Sequence, residues 1–294
     1  MTSTTTTRRA PQASARVPVR RQHQMTIKSV IAWLLAAAYL FPVYWMINTS
    51  LKTSTDMFAS PPQWVPTDPY FGSYAVVFTD KYGIPQAFFN SLLIATSVLV
   101  LTLIIAVPAS YAVARLRGGI TTGMMIMLTI VQLLPAISIS VPLFVMFRQM
   151  GLINNYLSVI IADISVTLPF AVILLRPYFK LFPQEVEEAA YLDGLGRLQT
   201  IVRIVIPTIR PGLIMIASFA FLMAWGEFTF ALTLTTQQEI QPLTVALNRI
   251  IGQYGTNWND LMAVATVISA PVLLVFVFLQ RYIVAGLAGG ATKG

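Results

Sequence analysis

Apolar residues gather in six long runs, at about 27–51, 88–113, 121–147, 157–181, 212–234 and 261–284. Each reaches the roughly 20 residues of helix that a hydrocarbon core of about 30 Å requires. Polarity does not alternate within them. Ser97–Val107 is almost continuously apolar, unlike the alternating strands of a membrane barrel. The pattern predicts an all-α polytopic membrane protein with six transmembrane helices over a domain at 26–286. Residues 1–25 are polar and Thr/Arg-rich, which predicts a disordered basic tail, and 287–294 form a short glycine-rich tail. The first run is longer than a signal h-region, so it reads as a retained helix.

Composition sharpens this. The chain of 294 residues is 56% hydrophobic and 10% charged, with a mean hydropathy of +0.72. Soluble domains carry about 25% charged residues. Too little polar surface remains to solvate a globule, and a disordered chain is excluded by the same numbers. The net charge of +8 suits either nucleic acid or the inner face of a membrane, and position decides between them. With the N-terminus inside, the inner set is Arg8, Arg9, Arg16, Arg20, Arg21, Lys28, Arg115, Arg117, Arg176, Lys180, Arg197, Arg203, Arg210, Arg281 and Lys293. Only Lys52, Lys81, Arg148 and Arg249 fall outside, so fifteen of the nineteen basic residues share one side. The positive-inside rule then places both termini in the cytoplasm. Scattered over short loops, these charges do not form a nucleic-acid surface.

Catalytic chemistry has little to stand on. The chain has no cysteine, and its one histidine, His23, lies in the tail. Thiolate and His-based sites are thereby excluded from the core. No P-loop sequence occurs. No catalytic residue, metal ligand or resident cofactor is expected.

Prolines interrupt most spans: Pro42, Pro108, Pro135, Pro142, Pro169 and Pro271. They read as packing kinks, whereas two in one span, Pro135 and Pro142, hint at a broken helix lining a path. The first outer loop, about 52–87, is rich in proline and aromatics, and Trp64 suits a headgroup anchor. In the last outer loop, about 235–260, the spacing of Leu243, Leu247, Ile250, Ile251 and Tyr254 is helical and one-sided. Such a helix can lie on the membrane surface or meet an external partner.

The inner loop at 182–211 is the most specific segment. Pro183 suits a helix start, and Glu185, Glu187 and Glu188 sit where the macrodipole favours acids. Gly194 stops this helix. A second helix follows with Leu198, Ile201, Val202 and Val205 on one face, ended by Pro207. Glu188-Ala189-Ala190, three residues, Gly194, nine residues and Ile204-x-Ile206-Pro207 together resemble the EAA motif of ABC importer permeases. Gly151-Leu152-Ile153-Asn154-Asn155, Trp225-Gly226-Glu227-Phe228 and the segment from Arg281-Tyr282 to Gly294 resemble carbohydrate importers, specifically the smaller six-helix subunit of the maltose/trehalose type. The family's frequent pattern has Asn where Gly226 stands.

The resemblance implies a type I importer fold and a coupling role for Glu188, Ala189, Ala190, Asp193, Gly194, Arg197, Ile204 and Pro207. In that role Glu188 contacts a cytoplasmic ATPase dimer, the alanines permit close approach and Gly194 makes the turn. It implies a homologous second permease subunit and an external sugar-binding protein touching Gln253, Tyr254, Gly255, Thr256 and Asn257. ATP and Mg are bound by the ATPase. The implied location is a prokaryotic inner membrane, and the implied cargo is a disaccharide such as trehalose or maltose.

Sugars need hydroxyl partners and flat apolar faces. The candidates within the spans are Asn90, Ser91, Gln132, Ser138, Asp163, Trp225 and Glu227. A carboxylate at the bilayer centre costs about 2.5–3.5 kcal/mol on insertion scales, so Asp163 and Glu227 must face protein or water. For both, hydrogen bonding to a neighbouring helix competes with lining the path, and the former is favoured for Glu227. Two alternatives stay open: an ABC importer of a non-sugar solute, and an ion-coupled carrier working alone.

Overall fold

The computed structural model describes residues 19–291 other than 80, 117, 253 and 254. The chain divides into two units, residues 1–46 and 47–294. Described residues of the first unit lie on α1, Val19–Ser50. This helix starts before the predicted boundary at 26, because the Arg- and Gln-rich stretch ahead of Met25 favours helix as well. The rest of the predicted tail, 1–18, lies outside the described residues. Apolar side chains such as Trp33 and Tyr39 are exposed, as on a helix built to meet lipid.

The second unit begins with short helices α2 (Ser54–Met57) and α3 (Gly72–Phe78). The long α4 (Ile84–Arg115) follows, then α5 (Gly119–Gln132), α6 (Ala136–Gln149) and α7 (Tyr156–Leu181). The segment 182–211, predicted to lie inside, holds α8 (Gln184–Leu192), α9 (Arg197–Thr200), a π turn at Ile201–Val205 and α10 (Ile206–Thr208). Beyond it run α11 (Arg210–Trp225), α12 (Thr229–Leu234) and α13 (Leu243–Ile250). A two-residue hairpin, β1 (Ile251–Gly252) against β2 (Gly255–Thr256), precedes α14 (Trp258–Ala291).

Among the described residues four helices are long and apolar enough to cross a membrane, or up to six crossings if each of two bent pairs counts as one. The predicted third span is such a pair: α5 and α6 meet at 91°. The break falls at Leu133–Pro135, where Pro135 takes an extended conformation and starts α6. Pro142 lies inside α6 without breaking it. The predicted fifth span is also interrupted, between Trp225 and Thr229.

The core is built around α4, α7 and α11 in two clusters. One, on the side of segment 238–256, gathers Ile94, Val98, Phe147, Trp225, Phe230, Leu234 and Leu243. The other, beside the inner segment, gathers Val172, Leu175, Phe179, Val205, Ile209 and Ile216. Between membrane helices such packing gains from van der Waals contact and not from exclusion of water, since lipid tails are as apolar as these side chains. At Gly212 on α11 an added Cβ would sit 2.7 Å from the Tyr178 ring of α7, so glycine lets these two helices close up. The stripe on α13 is part of this core and does not lie on a membrane surface: Leu243, Val245, Ala246 and Ile250 are buried, and α13 packs on α4 and α14.

Candidate coupling segment and membrane path

The inner segment starts with α8. Glu185 and Glu187 occupy its first turn and its C-terminus closes as a Schellman motif. Gly194 donates to the Tyr191 carbonyl at 3.1 Å and Leu195 to that of Ala190 at 3.0 Å. Gly194 has φ +87°, the left-handed conformation that glycine accepts without penalty. The side chains divide sharply by face. Glu188, Ala189, Asp193 and Arg197 are exposed, whereas Ala190 is buried.

Glu187, which the motif does not single out, is buried too. Its carboxylate accepts from the Arg115 guanidinium and from the Tyr111 hydroxyl at 2.7 Å. Arg115 also donates to the Phe179 carbonyl at 3.0 Å and the Phe182 carbonyl at 3.4 Å. One buried ion pair thus joins α8 to the ends of α4 and α7. Sequence gave no sign of it beyond two charges 72 positions apart.

The second helix departs from its predicted form in two ways. Helical structure does not end at Pro207. It runs through Thr208, with Pro207 in the first turn of α10, and bends by 82° into α11. The π turn makes this tolerable: Ile206 bonds back to the Ile201 carbonyl, so the ladder has already shifted register before proline withholds its N–H. The wider turn also rotates the apolar face. Val205 and Ile209 are buried and Ile204 half-buried, but Leu198 and Val202 are 74% and 52% exposed. With Leu192 at 89% exposure, they give the outer edge of the segment an apolar face beside Glu188.

The path candidates do not form one cluster of free polar groups. Asn90 donates to the carbonyls of Glu239 and Gln241 and accepts from the Tyr156 hydroxyl. Ser91 accepts from the Leu243 N–H at 2.8 Å. Both therefore fasten segment 239–243 to α4. Gln132 donates to the Val166 carbonyl at 2.6 Å, and Ser138 is exposed. Trp225 is buried, donates to the Ile268 carbonyl at 3.2 Å and stacks on Phe221. Glu227 caps α12, accepting from the Phe230 and Ala231 N–H groups at 2.8 and 3.0 Å. Its bonds are thus to the helix start that follows it, more than to a neighbouring span. Asp163 is 3% exposed, and neither carboxylate oxygen has a hydrogen-bond partner among the described residues.

Two outer features give physical content to the other quoted motifs. In Gly151–Asn155, Asn154 adopts φ 59° and its Oδ1 accepts from Thr236 N–H and Oγ1 and from Gln237 N–H. Asn155 caps α7 through the Leu157 N–H. At the other edge, Asp260 accepts from Lys81 at 2.9 Å and from Asn257 at 3.0 Å. The Asp260 hydrogen bond raises the Lys81 pKa. Arg249 donates to Gln241 and to the Tyr82 carbonyl, and burial lowers its pKa. Of the predicted binding-protein contacts, Gln253 and Tyr254 lie outside the described residues. Gly255 and Thr256 form β2, and Asn257 is exposed.

Comparison with known proteins agrees with this arrangement. The family described as binding-protein-dependent transport system inner membrane component matches residues 106–289. The diacetylchitobiose uptake system permease protein DasC of Streptomyces coelicolor is 32% identical over 266 residues, covering 90% of this chain and 96% of that protein. The trehalose/maltose transport system permease protein MalG of Thermococcus litoralis is 31% identical, covering 90% and 95% respectively. A solved bacterial ABC transporter involved in import of the acidic polysaccharide alginate contains a chain of the same fold, with a TM-score of 0.76, 22% identity and coverage of 93% and 99%. A helical fold, a segment at 182–211 built on the EAA pattern and these matches together assign the protein to the binding-protein-dependent transport system inner membrane components, the multi-pass permeases of ABC importers.

Proposed function

We propose that this chain is one of two homologous permease subunits of an ATP-driven carbohydrate importer, and that segment 184–208 is its coupling lever. The division of that segment into two faces carries the reading. Its inner edge is fixed to α4 and α7 through Glu187, Arg115, Val205 and Ile209. Its outer edge presents Glu188, Leu192, Leu198 and Val202 without burial. Exposed apolar side chains beside a charge are what a docking partner would cover. In this reading the partner is a cytoplasmic ATPase dimer that binds ATP and Mg. Its closure pushes the lever and, through the ion pair, α4. Ala189 keeps the approach close, and Gly194 and Pro207 set the shape of the lever. Both termini are cytoplasmic, in line with the charge distribution.

On the opposite side an external binding protein delivers the cargo against residues 253–257. Asp163, whose oxygens have no partner among the described residues, is the best candidate for contact with sugar hydroxyls. Asn90, Ser91, Trp225 and Glu227 act by shaping the surrounding helices. Trehalose is the first candidate cargo and maltose the second, supported by the likeness to the trehalose/maltose relative. The diacetylchitobiose relative supports a disaccharide more broadly. Labelled-sugar uptake and ATPase activity measured together on the assembled complex test the reading. Glu188→Lys should cut uptake by about tenfold or more while ATP hydrolysis continues, as expected for losing a charge-assisted contact. Normal uptake by this variant overturns the docking assignment. Transport by this chain alone on an ion gradient overturns the importer reading.

A further inference from the structure

A cavity of ≈ 510 Å³ lies where α4 and α7 end and α5 begins, with the start of α8 as a further wall. Its lining is basic. Arg176 is half-buried, its Nε is enclosed without a hydrogen-bond partner, and the side chain makes no hydrogen bond or ion pair to another described residue. A guanidinium removed from water needs acceptors, or it destabilises the fold around it. Lys180 lies one turn further along α7, on the same side of the helix, and lines the same cavity. Arg115 is a third lining cation, but Glu187 already matches its charge. The one acid in the lining, Glu185, is exposed.

The N-terminus of α5 supplies an independent feature. Gly118 precedes this 14-residue helix and lines the cavity, and no side chain caps the helix start. The first N–H groups of a helix have no partner within it, and the macrodipole makes that end positive. A Cβ at Gly118 would meet nothing within 4 Å, so the backbone there is open to a ligand. Two uncommitted cations, an uncapped helix start and Thr122 line one volume. The cavity also sits at the ends of two membrane-crossing helices, the depth at which basic pockets between helices take anionic head groups.

We infer that this cavity binds the phosphate group of an anionic ligand. Two sources offer that chemistry: the phosphodiester of an anionic membrane lipid, and free phosphate. The full chain purified in detergent separates them. Native mass spectrometry counts lipid retained from micelles doped with phosphatidylglycerol or, at equal fraction, with phosphatidylcholine. Equilibrium dialysis measures binding of inorganic phosphate in parallel. One anion should be held preferentially, and whichever arm shows it identifies the source. Arg176→Gln with Lys180→Gln should weaken that binding about 30-fold, at roughly fivefold per charge near the membrane surface. Arg176→Lys with Lys180→Arg keeps both charges and should retain most of the binding, which separates charge from folding. Arg148→Gln, at the end of α6, should change nothing. Equal retention of both lipids together with no phosphate binding overturns the proposal, as does retention that is unchanged in the double Gln variant.

Discussion

Replacing Glu187 by Ala tests how segment 184–208 is held to the rest of the chain. The carboxylate is 6% exposed and its partner Arg115 16% exposed, so both sit largely out of water. Breaking a buried pair by removing one member costs about 3–5 kcal/mol, because the other charge stays buried. Arg115 keeps two carbonyl acceptors, at 3.0 and 3.4 Å, which places the loss near the lower end, at about 3 kcal/mol. The Tyr111 hydroxyl loses its acceptor as well, adding about 1 kcal/mol. At 1.4 kcal/mol per decade, the sum favours detachment of α8 by a factor on the order of a thousand. Hydrogen exchange on the full chain reads this directly. Amides at 188–192 should exchange a hundred to a thousand times faster in Glu187→Ala, by the same conversion. An apolar pair of similar volume is often neutral where a broken pair is not. Arg115→Leu combined with Glu187→Leu should therefore restore most of the protection. Unchanged exchange in Glu187→Ala would refute the reasoning, and a double variant no better than the single one would refute the energetic part of it.

Three further outcomes are expected. Gly194→Val forces a β-branched residue to φ +87°; it should cost about 1–2 kcal/mol locally, visible as faster exchange at 190–195 while α11 is unaffected. Asn154→Ala removes one acceptor shared by three donors; it should destabilise the outer end by about 1–3 kcal/mol, read as a lower thermal midpoint and lost protection at 236–237. Lys81 has its pKa raised above 10.5 by Asp260, so its contribution is complete below that value and fades as pH rises through the folded pKa. Thermal midpoints of wild type and Lys81→Met should therefore differ at neutral pH and converge in strong alkali, by a modest amount because Lys81 is half exposed.

Much of the membrane architecture is readable from hydropathy, because length and apolarity are what a bilayer selects. Direction is not. Residues 121–147 read as one apolar run, yet the chain turns by 91° within it. Pro135 hinted at that break, whereas Pro142, similar in sequence, stays inside a helix. The EAA pattern was legible because it combines several residue types at fixed spacings. The rotation of its second helix was not, since a π turn at Ile201–Val205 leaves no mark in a 3.6-residue period. Contacts between distant positions were hidden most completely. Glu187 looked like another first-turn acid until Arg115 and Tyr111 were brought beside it. Asn90 and Ser91 looked like polar groups open to a path, but backbone groups at 239–243 use their hydrogen bonds. Glu227 was read as lining or packing. The helix before it ends at Trp225, and its carboxylate caps the next one.

The bend between α5 and α6 also bears on how the protein is made. Each half has 14 residues, about 21 Å at 1.5 Å per residue, which falls short of a hydrocarbon core of about 30 Å. Neither half can settle across the bilayer as an independent helix when it leaves the ribosome. Their neighbours arrive later: α5 packs on α7, and α6 packs on α12 some eighty residues downstream. Seating of this segment must wait for the second half of the chain, so biogenesis passes through a stage at which 119–149 is synthesised but unsheltered. A chain truncated after residue 150 and released into the membrane should leave that segment open to protease, and one truncated after 234 should hide it.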